Sequence, residues 1–289
     1  MTRLAVHRFG PPVGAGAAVP VLAIHGVKSH GRRFRRLAEE GWPERTTLAV
    51  DLRGHGDSTW NPPWDIATHV ADLVETLDAE GVGRVAVVGH SFGGCLATHL
   101  AAAAPERVER FALLDPAVAL PPARIVTEAE ETRRDEGWTS RAAARAARRA
   151  DRPPHARDVV DEDLAAHLRQ DPDGRWRLRF SRPAVIVGWS EMARPPASLA
   201  GFAGEGLLLV AGHEAYVTPA LRAGLERDLG ARRVVRTLDA GHMLFWDAFE
   251  ATATIVAAFL AGDPVPLAGD PVPTGDADEP AEDAAQRRV

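Results

Sequence analysis

The sequence is poor in cysteine, the residue that builds covalently linked scaffolds. It contains a single cysteine, Cys95, so no disulfide can form within the chain. The residues around Cys95 are small and apolar, which favours a packing role in the core. The histidines and the single cysteine do not form the four-ligand pattern of a structural zinc site, and we expect no metal site.

Long apolar runs and a strong charge of either sign are also missing. No stretch approaches the roughly 20 apolar residues that a membrane-spanning helix needs. The N-terminus lacks the apolar segment of a secretory signal, which favours a cytoplasmic location. A net charge of -6 gives no electrostatic reason to expect a nucleic acid or an anionic membrane as partner. We therefore expect a globular protein that acts on a small molecule, and the sequence leaves its oligomeric state open.

What the sequence does contain is an alternation of short apolar runs with helical patterns. This alternation predicts an α/β fold, with a mostly parallel sheet covered by helices on both faces. The segment between the first two runs is too short for a helical crossover, so we expect an antiparallel strand at that end. The predicted strands span residues 4–9, 19–25, 46–51, 84–90, 109–115, 206–210 and 232–239. Helical periodicity covers residues 31–40, 65–80, 92–104, 219–229 and 247–261.

Two regions interrupt the alternation. Residues 117–200 show helical stretches but no strong strand signal, and they form an insertion between two core strands. From Gly262 onward the motif GDPVP occurs twice before an acidic stretch. This tail has too little apolar surface to offset the entropy of ordering, so we predict disorder. The predicted units are a core of residues 1–116 and 201–261, the insertion 117–200 and the tail 262–289.

A sharp turn between a strand and a helix carries the strongest chemical signal. The sequence Gly89-His90-Ser91-Phe92-Gly93 matches the pattern G-x-S-x-G in the strand–turn–helix context that this motif requires. The turn leaves no room for side chains at Gly89 and Gly93, and it projects the hydroxyl of Ser91. The following helix points its N-terminal N–H groups at the same place. We predict that Ser91 is a nucleophile and not merely a helix cap.

A nucleophilic serine needs donors for the oxyanion that forms when it attacks a carbonyl. The second predicted strand ends in His25-Gly26-Val27. Backbone N–H groups from this loop and from the residue after the serine are the expected pair, which we assign to Val27 and Phe92. The position of His25 at a strand end beside Gly26 favours a structural hydrogen-bonding role.

Four motifs in order resemble the α/β-hydrolase family. HG follows one strand, DLRGHGDS follows the next, GHSFGG follows the third, and AGHM comes late in the chain. The resemblance covers about residues 19–116 and 204–261. It implies an eight-stranded sheet, a Ser–acid–His triad, and a helical cap inserted after the sixth strand, where residues 117–200 lie.

The resemblance also implies which residues complete the triad. His242 lies in Asp239-Ala240-Gly241-His242-Met243, between the last strand and the last helix, and we predict that it is the base. Asp239 lies in the same loop, three residues from the base, and we interpret it as a loop residue. The acid of this family usually follows the strand before the last, as the aspartate of a G-x-x-D pattern.

The acid is the point at which this sequence departs from the family pattern. Counted from Gly212, the aspartate position of G-x-x-D holds Ala215. Glu214 is one residue earlier, and glutamate is an accepted acid in this fold. Asp115, at the end of the sixth strand of the implied sheet, is the alternative, because some members of the family draw their acid from that place. We predict Glu214 and keep Asp115 as its competitor.

These residues together predict a serine hydrolase that needs no cofactor and cleaves a small to medium apolar ester, lactone or thioester. Gly14-Ala15-Gly16 lacks the further glycine and the helix of a dinucleotide site. Carbon–carbon bond hydrolysis, acyl transfer and perhydrolysis on the same triad stay open, as do a non-catalytic small-molecule binder and a degenerate enzyme. The tryptophans expected to line the substrate pocket are Trp60, Trp64, Trp138, Trp176 and Trp189.

Overall fold

Each apolar run predicted as a strand forms one in the computed structural model, which describes residues 3–16, 18–150, 154–213 and 215–266. The strands of these residues are β1 (Ala5–Phe9), β2 (Val21–Ile24), β3 (Thr47–Asp51), β4 (Val85–His90), β5 (Val108–Leu114), β6 (Leu168–Gln170), β7 (Trp176–Leu178), β8 (Glu205–Ala211) and β9 (Arg233–Leu238). The α-helices are α1 (Ile66–Ala79), α2 (Phe92–Ala103), α3 (Pro122–Arg134), α4 (Arg141–Ala150), α5 (Arg157–His167), α6 (Arg182–Glu191), α7 (Pro219–Leu229), α8 (Leu244–Asp247) and α9 (Phe249–Ala261).

The main sheet has the strand order β1-β3-β2-β4-β5-β8-β9. Its strands run parallel except for β1, which pairs antiparallel with β3 at the edge. The predicted antiparallel end is confirmed, although the partner of β1 is β3 and not the next strand in sequence. The central strands β2, β3 and β4 are buried along their whole length. This burial explains why they are apolar throughout instead of alternating.

The expectation of eight strands is wrong for the described residues, in which the main sheet has seven. The eighth strand was implied by the resemblance alone, since the sequence shows seven apolar runs. The segment between β1 and β2 contains Pro11 and Pro12, which cannot donate hydrogen bonds to a neighbouring strand. The insertion accordingly follows the fifth strand and not the sixth.

The helices next to the sheet follow the predicted pattern with one exception. Residues 31–40 form a 3-10 turn, Gly31–Phe34, and a short π-helix, Leu37–Gly41, instead of one α-helix. The carboxylate of Asp51 at the end of β3 accepts a hydrogen bond of 2.8 Å from the Gly31 N–H and anchors this turn to the sheet. Cys95 is buried in α2, which confirms its packing role. No helix among the described residues is long and apolar enough to span a membrane.

The segment between β5 and β8, called the insert below (residues 117–200), contains α3 to α6 and a small hairpin. The hairpin of β6 and β7 was not predicted, because its strands are three residues long and rich in arginine. It docks on the core where the N–H of Gly56 donates to the carbonyl of Arg179 at 2.8 Å and the N–H of Ser181 donates to the carbonyl of Gly54 at 2.7 Å.

Of the predicted tail, residues 262–266 are described, and the Arg236 guanidinium donates to the carbonyl oxygens of Val265 and Pro266. Residues 267–289 lie outside the described part of the chain.

Buried histidines line the contact between the insert and the core. The ring of His30 stacks on that of His167 at 4.5 Å, and Nε2 of His30 lies 2.8 Å from the Asp163 carboxylate. Arg33 binds the same carboxylate, with 2.9 Å between Nη2 and Oδ2. Burial lowers the pKa of His30, His55 and His167 below the ordinary value for histidine. These rings are therefore neutral in the folded protein at a pH that would protonate them in water.

We expect the free energy of unfolding to fall as the pH is lowered from 7 to 5. Histidines of the unfolded chain take up protons near pH 6.5, whereas the buried rings do not, so acid favours the unfolded state. Each fully shifted histidine contributes up to about 1.4 kcal/mol per pH unit in that window. Urea denaturation at both pH values measures the effect, and His167→Phe should reduce the pH dependence. Equal pH dependence in the variant and the wild type would contradict this explanation.

Candidate active site

Ser91 occupies the turn between β4 and α2 in a conformation that serine rarely adopts. Its backbone angles are φ 55° and ψ -117°, a strained region for a residue with a side chain. Steric contacts explain why the residues two before and two after Ser91 are glycines. A Cβ at Gly89 would lie 2.5 Å from the Gly93 carbonyl oxygen, and one at Gly93 would collide with the Ile24 carbonyl. The predicted sharp turn is therefore present, with Ser91 only 3% exposed.

The loop after β2 lies directly against this turn. A Cβ at Gly26 would be 3.1 Å from Cβ of Ser91, so glycine permits the close approach. His25 fixes the loop with both ring nitrogens. Nδ1 lies 2.7 Å from the Gly26 carbonyl oxygen, and Nε2 lies 2.9 Å from the Leu52 N–H. Burial lowers the pKa of His25 well below its ordinary value, and the predicted structural role of His25 is confirmed.

Val27 and Phe92 both lie against Gly188 of helix α6 in the insert. A Cβ at Gly188 would lie 2.8 Å from Cγ2 of Val27 and 3.8 Å from the Phe92 ring. The carbonyl of Val27 accepts a hydrogen bond of 2.7 Å from Nε2 of His55, which holds the peptide that precedes Lys28. The structure therefore brings the two residues predicted as oxyanion donors together beside Ser91.

Asp115 holds the ring of His242. Nδ1 of His242 lies 2.6 Å from Oδ2 of Asp115, so the ring donates a hydrogen bond to this carboxylate. Asp115 is fully buried and also accepts hydrogen bonds from the N–H groups of Ala211, at 3.3 Å, and Tyr216, at 3.1 Å. Three donors therefore satisfy this buried carboxylate by hydrogen bonds. Glu214, the acid predicted from sequence, lies outside the described residues.

The strand register explains why these groups share one edge of the sheet. Strands β4 and β5 are adjacent and parallel, and His90 pairs with Leu114 at their carboxyl ends. Ser91 and Asp115 directly follow these two residues. The His90 ring packs 4.6 Å from the His242 ring, and its Nε2–H donates to the His242 carbonyl at 3.0 Å. The residue next to Ser91 therefore helps to fix the loop that carries the histidine.

Comparisons with known proteins identify the family. The sequence matches the family model of the alpha/beta hydrolase fold over residues 19–249. The chain belongs to the α/β-hydrolase family. The lipase LipV of Mycobacterium tuberculosis is 43% identical over 83% of this chain and 91% of its own length. The pimeloyl-[acyl-carrier protein] methyl ester esterase of Chromobacterium violaceum is 32% identical over 87% of this chain and 84% of its own length. The predicted family is confirmed, and with it a serine hydrolase of the esterase and lipase type.

Solved structures show the same fold. The enol-lactonase from Burkholderia xenovorans LB400 has a TM-score of 0.71 with this α/β hydrolase, at 21% identity. The match covers 89% of this chain and 96% of the other. At this level of identity the likeness establishes the architecture and carries no information on the substrate.

The tryptophans predicted for the pocket of this hydrolase lie in different surroundings. The ring of Trp189 lies 5.5 Å from the Lys28 ammonium and 6.5 Å from the Tyr216 ring. The other four make contacts of a different kind. Trp138 pairs with Trp176 through the backbone, Trp60 lies under the Arg169 guanidinium at 4.4 Å, and Trp64 lies close to Gly54. Of the five, Trp189 is the one that these contacts connect to the surroundings of His242.

Sequence reasoning missed Tyr216, whose ring lies 4.1 Å from that of His242. It is the single tyrosine of the chain and comes two residues after Glu214. No family motif includes it, so its contact with His242 leaves no signal in the sequence. Asp239 lies in a loop, as predicted. Its exposed carboxylate pairs with His213, in the loop after β8, at 2.7 Å.

Proposed function

We propose that this hydrolase cleaves small to medium apolar esters, lactones or thioesters through an acyl-enzyme on Ser91. The observation that carries the proposal is the contact of 2.6 Å between His242 and the buried carboxylate of Asp115. This pair lies at the edge of the sheet where the strained turn presents Ser91. A nucleophile, a base and a group that orients the base are the components of covalent catalysis by serine.

In the proposed mechanism, Oγ of Ser91 attacks the carbonyl carbon while His242 takes its proton. The same imidazole returns the proton to the leaving alcohol or thiol, and then activates the water that releases the acid. Asp115 keeps Nδ1 of His242 protonated and stabilises the imidazolium that forms. We assign the acid to Asp115, in place of Glu214, because its carboxylate is buried against the ring.

We assign the stabilisation of the oxyanion to the backbone N–H groups of Val27 and Phe92. Phe92 begins helix α2, so the positive end of the helix dipole adds to its N–H. Val27 is held by the hydrogen bond from His55 to its carbonyl and by its contact with α6. Fixed donors in a site shielded from water stabilise developing negative charge more than flexible ones.

The proposed substrate class follows from the surroundings of the site and from the relatives. Ser91 is buried, and the insert packs on the residues beside it through Gly188. We propose that residues 117–200 act as a helical cap over the site, with Trp189 in the substrate pocket. LipV is named a lipase, and the relative from Chromobacterium violaceum is named a methyl ester esterase. The proposed mechanism uses no cofactor. We also propose a cytoplasmic location.

The proposal is tested with 4-nitrophenyl esters of rising acyl length, followed by stopped-flow absorbance. We expect turnover of short and medium chains, with a burst of nitrophenol equal to the enzyme concentration where deacylation limits the rate. A binder without catalysis would release no nitrophenol. Folded protein that hydrolyses no ester, lactone or thioester in the panel would refute the proposed function.

A further inference from the structure

A carboxylate of the insert is linked to the proposed base through Tyr216. Glu128 is on helix α3, and its Oε1 accepts a hydrogen bond of 3.3 Å from the Tyr216 hydroxyl. Its Oε2 lies 3.4 Å from the ammonium of Lys28, the residue after Val27. The Tyr216 ring in turn lies 4.1 Å from the ring of His242. We call these three residues, Lys28, Glu128 and Tyr216, the polar bridge. The polar bridge joins the insert to the loop that carries Val27 and to the ring of His242.

One cation pairs with the carboxylate of the polar bridge, and a second lies over the ring of Tyr216. Lys28 pairs with the carboxylate directly, and Arg124, one turn earlier on α3, lies 3.6 Å above the Tyr216 ring. The Glu128 side chain is 19% exposed and that of Lys28 is 35% exposed, so water screens the pair only in part. Lys28 also lies 5.5 Å from the Trp189 ring. Glu128 thus occupies the position in which a carboxylate of a ligand would find the Lys28 ammonium and the Tyr216 hydroxyl.

We propose that Glu128 determines specificity by excluding esters that carry a carboxylate a few atoms from the scissile carbonyl. This inference rests on the proposed function of Ser91 and His242. An anionic acyl group entering the site meets a negative charge that already holds the Lys28 ammonium and the Tyr216 hydroxyl. An uncharged acyl group meets no such repulsion. The polar bridge therefore selects neutral esters by charge, separately from the length and shape of the pocket.

The test substitution is Glu128→Gln, which removes the charge and keeps an oxygen that accepts from Tyr216. Two substrates of matched shape are compared, the 4-nitrophenyl monoester of glutaric acid and 4-nitrophenyl 5-methylhexanoate, with uncatalysed hydrolysis subtracted. We expect the ratio of kcat/KM, anionic over neutral ester, to rise about tenfold, the size of a partly screened charge interaction at a few ångströms. Glu131→Gln, which removes an exposed carboxylate of the same helix, should leave the ratio unchanged.

Lys28→Gln in the Glu128→Gln background should return the ratio toward that of the wild type, because it removes the cation that the anionic ester would bind. An unchanged or lower ratio in Glu128→Gln, with the neutral ester still cleaved, overturns the inference and leaves the proposed function intact.

Binding without turnover tests the same point independently of catalysis. Monomethyl glutarate is titrated calorimetrically into Ser91→Ala and into Ser91→Ala/Glu128→Gln. We expect about tenfold tighter binding by the double variant, for the same electrostatic reason. Equal affinities overturn the inference, whether or not any ester is hydrolysed.

Discussion

Ser91→Ala is expected to lower kcat for 4-nitrophenyl esters by about 10⁵–10⁶-fold, as loss of the nucleophile does in other serine hydrolases. Alanine removes the one oxygen that can form the acyl bond, and what remains is substrate binding and oxyanion stabilisation. The substitution keeps a Cβ at the strained φ of 55°, so the turn is not made easier or harder to form. Initial rates and labelling by an organophosphonate, located by peptide mass spectrometry, measure the effect.

The matched control for this prediction is Ser190→Ala, which removes an exposed hydroxyl of helix α6. It should keep the wild-type rate and the label on Ser91. Circular dichroism of both variants excludes unfolding as the cause of a lower rate. A folded Ser91→Ala protein that hydrolyses esters at the wild-type rate, or takes up the phosphonate, would show that Ser91 is not the nucleophile.

Asp115→Asn is expected to lower kcat by about 10³–10⁴-fold, the range seen when a triad acid becomes its amide. The amide cannot stabilise the imidazolium, and its NH₂ group can turn the ring of His242 into the wrong tautomer. The substitution also disturbs the hydrogen bonds from the N–H groups of Ala211 and Tyr216, so the folded fraction is measured first. Rates on one ester at saturating concentration then give the ratio of kcat values.

Glu214→Gln is the comparison that decides between the two acids. We expect a rate within a few-fold of the wild type, since the buried carboxylate against His242 belongs to Asp115. The reverse ranking of the two variants would transfer the role to Glu214. Near-wild-type rates in both single variants, with a collapse in the double variant, would mean that either carboxylate can hold the imidazole.

Local signals explain which parts of the fold could be predicted from sequence. The parallel strands are buried on both faces, so each is a continuous apolar run that stands out from its neighbours. The turn at Ser91 needs glycines at fixed positions, and its close contacts at Gly89 and Gly93 are steric requirements that leave a short motif. The hairpin of β6 and β7 left no such signal, because strands of three residues with an arginine in the middle resemble a loop.

The contact that holds His242 could not be read from local sequence. Asp115 is 127 residues from His242, and the two meet only because β5 lies in the sheet between β4 and β8. The family pattern directed attention to the loop after β8, where Ala215 stands in the usual place of the acid. Tyr216 was not predicted either. Its contacts with Asp115, Glu128 and His242 form only when the insert and the core come together.

The position of Asp115 has a consequence for how this protein can diversify. If Asp115 is the acid, as we propose, the segment 212–215 after β8 carries no triad residue, and catalysis does not constrain its length and composition. Substitutions in that segment would then leave the carboxylate of Asp115 in place, except at Gly212, where a Cβ would lie 2.7 Å from the Leu238 carbonyl oxygen. Directed evolution toward bulkier esters would therefore begin with libraries in this segment, where sequence change is best separated from loss of activity.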